Sequence, residues 1–95
     1  MGALIRREMG LDQAEFLRSL EALLGGRHWR AEDDGLCIDW AGCPVRIRLH
    51  PTQQRRLGSL SLPMTRVEID LDALTEVEAA DFLTRFERAF QRGGG

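Results

Sequence analysis

Apolar residues recur every three or four positions in two stretches of the chain, one near each end. This spacing predicts two amphipathic helices, each burying one face. In the first stretch, LDQAEFLRSLEALLGG, Asp12 and Glu15 have the spacing of a capping box, and Gly25 provides a stop. In the second, LTEVEAADFLTRFERAFQRGGG, Thr75 and Glu78 repeat the capping-box spacing.

Each helix is expected to bury a stripe of leucine, alanine or phenylalanine side chains. The predicted buried face of the first helix consists of Phe16, Leu17, Leu20, Leu23 and Leu24. That of the second helix consists of Ala79, Phe82, Leu83, Phe86, Ala89 and Phe90. Both stripes need an apolar partner, which the middle of the chain must supply.

Between the helices the pattern changes to alternation of apolar and polar residues, which is typical of half-buried β-strands. Five short runs alternate in this way, around residues 29–31, 36–40, 45–49, 60–62 and 67–71. The connecting segments EDDG, AG, PTQQ and PM are each short enough for a hairpin. The sequence therefore predicts an α+β fold: a helix, a five-stranded antiparallel meander and a second helix, with both helices on one face of the sheet.

The two ends of the chain show neither period. Residues 1–10 are predicted to form a flexible N-terminal segment, residues 11–92 a single α+β domain, and residues 93–95 a flexible glycine tail. Ubiquitin-like modifiers and sulfur carriers also end in glycines, but theirs follow a strand, whereas these follow a helix. We interpret Gly93 as a helix stop and keep a C-terminal glycine carrier as an alternative.

The composition narrows the source and the compartment. All 13 basic side chains are arginine, and lysine, asparagine and tyrosine are absent, which favours a bacterium with a GC-rich genome because AT-rich codons encode the missing residues. No apolar run reaches the ~18 residues that span a bilayer, so we expect no membrane partner. With no export signal, we expect a cytoplasmic protein whose two cysteines stay reduced.

Both cysteines lie in one predicted hairpin, CIDWAGCPVRIRLHP. If AG is its turn, the directly opposite pairs are Trp40 with Cys43, Ile38 with Val45, and Leu36 with Ile47, all apolar and all on the inner face. Cys43 then points into the core and Cys37 to the outer face, because neighbouring strand residues alternate between faces. Two thiols on opposite faces cannot share a metal ion or a disulfide, so no metal site and no cofactor are predicted.

The outer face of this hairpin offers two weak catalytic candidates. Cys37 is predicted to lie between Arg30 and Arg46, and flanking guanidinium groups stabilise a thiolate. A thiol-dependent enzyme or redox protein using Cys37 is therefore one alternative; the other is that the arginines pair with acids and leave the thiol unused. His28 is predicted to lie opposite Asp39, as in a general-base pair, but no nucleophile lies beside it, so a surface pair is the simpler interpretation.

Basic side chains cluster toward one end of the predicted sheet and form a candidate anion-binding or partner-binding site. They are Arg46, Arg48, His50, Arg55 and Arg56. In the predicted meander, a PTQQ turn places Arg48 opposite Leu57 and Arg46 opposite Ser59. The outer face carries no aromatic residue for base stacking, and the second helix is acidic, so tight nucleic-acid binding is not expected. The partner is expected to be a protein or an anionic ligand.

These features favour a small non-enzymatic binding or adaptor module. At the level of the fold, a small acidic α+β domain with a curled antiparallel sheet resembles bacterial secretion chaperones, although the middle helix of that family is missing here. That resemblance implies a protein partner. We also expect a homodimer through the first strand, because His28, Arg30 and Glu32 can pair antiparallel with opposite charges in register.

Overall fold

The computed structural model describes residues 4–91, and this range contains a six-stranded antiparallel sheet and two helices. The elements in chain order are β1 (Leu4–Met9), α1 (Gln13–Leu24), β2 (Trp29–Glu32), β3 (Gly35–Trp40), β4 (Cys43–Leu49), β5 (Gln53–Leu57), β6 (Leu60–Asp70) and α2 (Glu76–Gln91). The predicted α+β class is confirmed, with one strand more than expected. Gly93 and the glycine tail lie outside the described residues.

Both predicted capping boxes are present. The Asp12 side chain accepts from the Glu15 amide at 2.8 Å, and the Glu15 carboxylate accepts from the Asp12 amide at 3.0 Å. Thr75 and Glu78 make the same reciprocal contacts at 3.2 and 2.9 Å. Gly25 caps the C-terminal end of α1 in a left-handed conformation with φ 42°, which glycine adopts at little cost. Local sequence chemistry therefore determines where the helices begin and where α1 ends.

The two helices pack on one face of the sheet, called the inner face, and form a single core with it. The core residues include Phe16, Leu20, Leu23, Leu36, Ile38, Trp40, Val45, Ile47, Val67, Ile69, Phe82 and Phe86. Among the residues of the two predicted helix stripes, one is misplaced: Leu17 is 41% exposed. It lies beside the exposed Trp29 of β2, the last strand of the sheet, so no further strand covers it.

The strand order is β1-β6-β4-β3-β2, which is meander-like as predicted, but the register expected after β4 is wrong. β4 pairs directly with β6, which places Arg46 opposite Asp70 and Arg48 opposite Glu68 rather than opposite Ser59 and Leu57. On its other side β6 pairs with β1. Residues 4–9, part of the segment predicted to be flexible, thus form an edge strand, which the sequence conceals because Arg7 occupies an inner-face position.

The first half of β6 leaves the body of the sheet and pairs with β5 alone. We call this hairpin, residues 53–64, the arm. The turn lies at Gly58, where φ is 62°, and not at the predicted Pro63-Met64, which β6 passes through without interruption. A proline is tolerated there because β6 has a pairing partner on only one side, as an edge strand does.

Thr65 marks the point where the arm leaves the body. Its side chain is fully buried; the hydroxyl donates to the Leu11 carbonyl at 2.6 Å and lies 2.9 Å from the Thr52 hydroxyl. One residue of β6 therefore holds the start of α1 and the segment that leads into the arm. A buried hydroxyl is stable here because both of its neighbours hydrogen-bond to it.

The β3–β4 hairpin has the predicted register: Trp40 lies opposite Cys43, Ile38 opposite Val45, and Leu36 opposite Ile47. Its two-residue turn has positive φ at both positions, 54° at Ala41 and 81° at Gly42. Two positive φ values are the mark of a type I′ turn, which matches the twist of the flanking strands.

We expect Gly35→Ala to destabilise the fold. Gly35 lies opposite Arg48, and a Cβ at this position would overlap the carbonyl oxygen of Ile47, a backbone atom that cannot turn away. The cost should be about 1–3 kcal/mol, as for other forced backbone shifts. Gly10→Ala is the matched control, because nothing lies within 4 Å of its added Cβ. Denaturant unfolding measures both, and equal stability of the two variants would contradict the close approach of β3 and β4.

Candidate functional site

The thiol of Cys37 lies in the predicted row between Arg30 and Arg46, but both guanidinium groups have another partner. Arg30 Nη2 lies 3.6 Å from one Glu32 carboxylate oxygen, and Arg46 Nε lies 3.7 Å from the other. Cys37 itself is only 4% exposed although it belongs to the outer face. The sequence located the row correctly and missed Glu32, which takes up the positive charge that a thiolate would need.

His28 and Asp39 are neighbours through their backbones: the Asp39 amide donates to the His28 carbonyl at 2.8 Å. They border an open cleft of about 380 Å³ that both cysteines also line. Both thiols are free, and among residues 4–91 no group of three or more His, Cys, Asp or Glu side chains is placed to hold a metal ion. The described side chains thus supply a cleft without an assembled nucleophile, base and orienting group.

The predicted basic cluster is divided between the two faces of the sheet and is largely paired with acids. Arg48 Nε lies 2.9 Å from Asp34 and Nη1 lies 3.6 Å from Glu68. Arg55, 55% exposed, lies 3.7 Å from Glu8 on β1. Arg56 lies on the opposite face of the arm and forms no ion pair with any described residue. The sequence missed Glu68 as a partner of Arg48 because it paired β4 with the wrong strand, and it missed Glu8 because residues 1–10 were predicted to be flexible.

Glu68 is the centre of the charge network on the outer face. Its carboxylate lies 3.4 Å from Arg6 Nε, 3.6 Å from Arg48 Nη1 and 3.6 Å from His50 Nε2. The Glu68 side chain is 18% exposed, whereas those of its three neighbours are 38% to 68% exposed. One half-buried carboxylate therefore lies beside two arginines, on β1 and β4, and the histidine that follows β4.

The arm carries a surface of exposed leucine side chains. Leu57, Leu60 and Leu62 are 54%, 62% and 43% exposed. Because β6 is continuous, Leu60 and Leu62 have the same parity as Arg66 and therefore belong to the outer face. Leu57 lies directly opposite Leu60 and shares that face.

The inner and outer faces thus exchange character at Thr65. In the body the inner face is apolar and the outer face charged, whereas in the arm the inner face carries Gln54, Arg56 and Ser61, and the outer face carries the leucines. These leucines do not belong to the core that α1 and α2 form with the sheet. In the sequence, the alternation between the two faces continues without a break from Leu60 to Asp70. The turn predicted at Pro63-Met64 concealed this continuity.

A comparison of the chain with family models, with curated proteins and with solved structures found no significant match. The function must therefore be argued from the surface itself. Among the described residues, neither helix is long and apolar enough to cross a bilayer.

Labelling with iodoacetamide tests whether Cys37 is a reactive thiol. In a Cys43→Ser variant, we expect Cys37 to react slowly in the folded protein and rapidly in denaturant, because the thiol is almost completely covered and reactive thiols need access. The Cys37→Ser variant, which keeps the more exposed Cys43, is the matched control. Faster labelling of Cys37 than of Cys43 in the native protein would instead support a thiol-dependent enzyme or redox protein that uses Cys37.

Replacing Glu68 tests the charge network. Glu68→Gln keeps the shape and removes the charge, so it should lower the free energy of unfolding by about 1 kcal/mol. Glu87→Gln, which affects a single exposed pair with Arg7, should cost less than about 0.5 kcal/mol. High salt should narrow the gap between the two variants because it screens charges. Equal losses at low salt would show that Glu68 is not central.

Proposed function

We propose that this protein is a small, non-catalytic binding module that holds a segment of a partner protein against the outer face of the arm. Leu57, Leu60 and Leu62 would cover apolar side chains of the partner. Arg55 and Arg66, on the same face, would contact carboxylates beside them. The observation that carries the proposal is the exchange of faces at Thr65, which leaves three leucines of one hairpin on the outer face.

Exposed apolar side chains indicate a contact surface when they adjoin one another, but not when they are scattered. A single exposed leucine is ordinary, whereas a contiguous apolar patch with a charged border is typical of protein contact surfaces. Here the three leucines lie on two paired strands, and Leu57 and Leu60 are direct cross-strand neighbours. The arginine border begins at Arg55, directly opposite Leu62.

The bordering arginines can exchange their present partners for those of another protein. Glu8 lies 3.7 Å from Arg55 and 3.4 Å from Arg66, and all three side chains are more than half exposed. These distances exceed the 2.7–2.9 Å typical of a strong charge-assisted hydrogen bond, so the pairs are loose. Exposed ion pairs contribute little to stability, so replacing Glu8 by a partner's carboxylate costs little.

The same proposal favours a protein over a polyanion as the partner. The outer-face side chains of Arg46, Arg48 and His50 each lie beside a carboxylate, so a polyphosphate would have to displace several acids at once. The net charge of the chain is −2, which gives no long-range attraction for nucleic acid. We place the module in the bacterial cytoplasm, where free Cys37 and Cys43 stay reduced.

Selection of peptides tests the proposal without a known partner. From a random phage-displayed library panned on the folded protein, we expect peptides that combine large apolar residues with Asp or Glu. Binding of the selected peptides should weaken roughly tenfold or more, about 1.4 kcal/mol, in the double variant Leu60→Ser/Leu62→Ser. The matched control is Val77→Ser on α2, which removes an apolar side chain that is 80% exposed but far from the arm in sequence.

The outcomes separate the alternatives. Selected peptides that bind the double leucine variant and the Val77→Ser variant equally well would contradict the arm as the binding surface. Strong, steeply salt-dependent binding of heparin, lost with Arg46→Ala or Arg48→Ala, would instead favour the anionic ligand, because each neutralised anionic group releases a counterion.

A further inference from the structure

The open edge of β2 presents unpaired backbone groups. The Asp39 amide donates to the His28 carbonyl, so His28 and Asp39 form a hydrogen-bonded pair. In an antiparallel ladder such pairs alternate, so Arg30 and Glu32 also direct their amides and carbonyls toward β3. The backbone groups of Trp29 and Ala31 therefore point away from β3, to the side where no described strand pairs.

Apolar side chains adjoin this edge on the inner face. Trp29 is 49% exposed and Leu17, on α1, is 41% exposed. Together with Leu24 and Ala31 they line an open groove of about 400 Å³ between α1 and β2. Unpaired backbone groups and exposed apolar side chains thus occur side by side, and a neighbouring strand would cover both.

The opposite edge of the sheet is protected and this one is not. On β1 the inner-face position between Ile5 and Met9 is occupied by Arg7, which pairs with Glu87 of α2 at 3.2 Å. An inward-pointing charge is a common way to prevent further pairing at a sheet edge. On β2 the inner-face residues are Trp29 and Ala31, neither of which is charged.

We propose that the β2 edge binds a second copy of this chain, so that two sheets join antiparallel about a two-fold axis that passes through Ala31. In this register the backbone of Ala31 pairs with its own copy, and Arg30 lies opposite Glu32 of the other copy, twice. The alternative axis through Arg30 places two arginines directly opposite each other. Like charges in that position repel, so charge favours the axis at Ala31 over the axis at Arg30.

The helix beside the edge is compatible with the same axis. Arg18 and Glu21 are both exposed and line the groove next to Leu17. A two-fold axis brings the two α1 helices together antiparallel, so Arg18 of each copy faces the Glu21 side of the other. The apolar side chains Leu17 and Trp29 of both copies then share one interface between two self-complementary charge pairs.

This pairing does not use the arm. β5 pairs only with β6, and β6 is separated from β2 by β4 and β3. The outer face of each arm stays open, so a dimer would present two partner-binding surfaces. Loss of the dimer would therefore leave the peptide binding of a single arm measurable, and the two proposals fail independently.

Exchange of charges tests the interface. We expect the unaltered protein to show a concentration-dependent mass of twice 10.7 kDa in sedimentation equilibrium. Arg30→Glu and Glu32→Arg, each alone, turn two attractive pairs into repulsive ones and should weaken the dimer roughly tenfold or more. An equimolar mixture of these two variants should form a heterodimer in native mass spectrometry, because each Glu then meets an Arg. The double variant Arg30→Glu/Glu32→Arg should again dimerise with itself.

A second variant tests the backbone contact. Ala31→Pro removes the amide that points to the open edge and leaves the ladder to β3 intact, so it should abolish dimerisation without loss of helical circular dichroism. A mass of 10.7 kDa at every concentration of the unaltered protein would overturn the proposal. A dimer that all four variants retain would also overturn it, because the interface would lie elsewhere.

Discussion

The pairing of β6 with three other strands is the constraint on which the rest of the structure depends. Its second half lies between β1 and β4 and carries Val67 and Ile69 into the core, while its first half pairs with β5 alone. One uninterrupted 11-residue strand thus belongs to two different environments. Because strand residues alternate strictly between faces, the position of every side chain in the arm follows from that of the body.

Local chemistry predicted the local structure well. The two capping boxes, Gly25 and the AG turn of the β3–β4 hairpin each depend on residues only a few positions apart, and the structure has all of them. The hairpin register was correct because a slip of one residue would have moved six apolar side chains to the outer face. The predicted row of Arg30, Cys37 and Arg46 followed from that register alone.

The sequence did not reveal which strands pair when they lie far apart along the chain. Nothing near β4 indicates that its partner is residues 67–70 rather than the next apolar run, and that one error hid Glu68 as a partner of Arg48. Leu17 and Trp29 follow the correct periodicity, but they lie at the limit of the sheet, where no neighbour covers them. Periodicity reports which face a residue occupies and does not report whether anything lies against that face.

The surface of the molecule therefore separates into charged and apolar regions. The charged outer face of the body is balanced within the chain through Glu68, Glu32 and Glu8, which leaves little unpaired charge for a polyanion. Most of the large apolar side chains that are exposed lie in the arm and at the β2 edge, whereas Leu4 and Val77 are exposed singly elsewhere. The proposed association with a partner protein rests on this distribution.

The orientation of the arm leucines is the central claim, and methyl NMR with a soluble paramagnetic probe tests it most directly. The account predicts strong broadening of the methyl signals of Leu57, Leu60 and Leu62 in the free protein, with Leu20 and Leu36 unaffected because they are buried. Protection of Leu60 and Leu62 to the same degree as Leu20 and Leu36 would contradict it. The strand would then turn at Pro63, and the leucines would belong to the core.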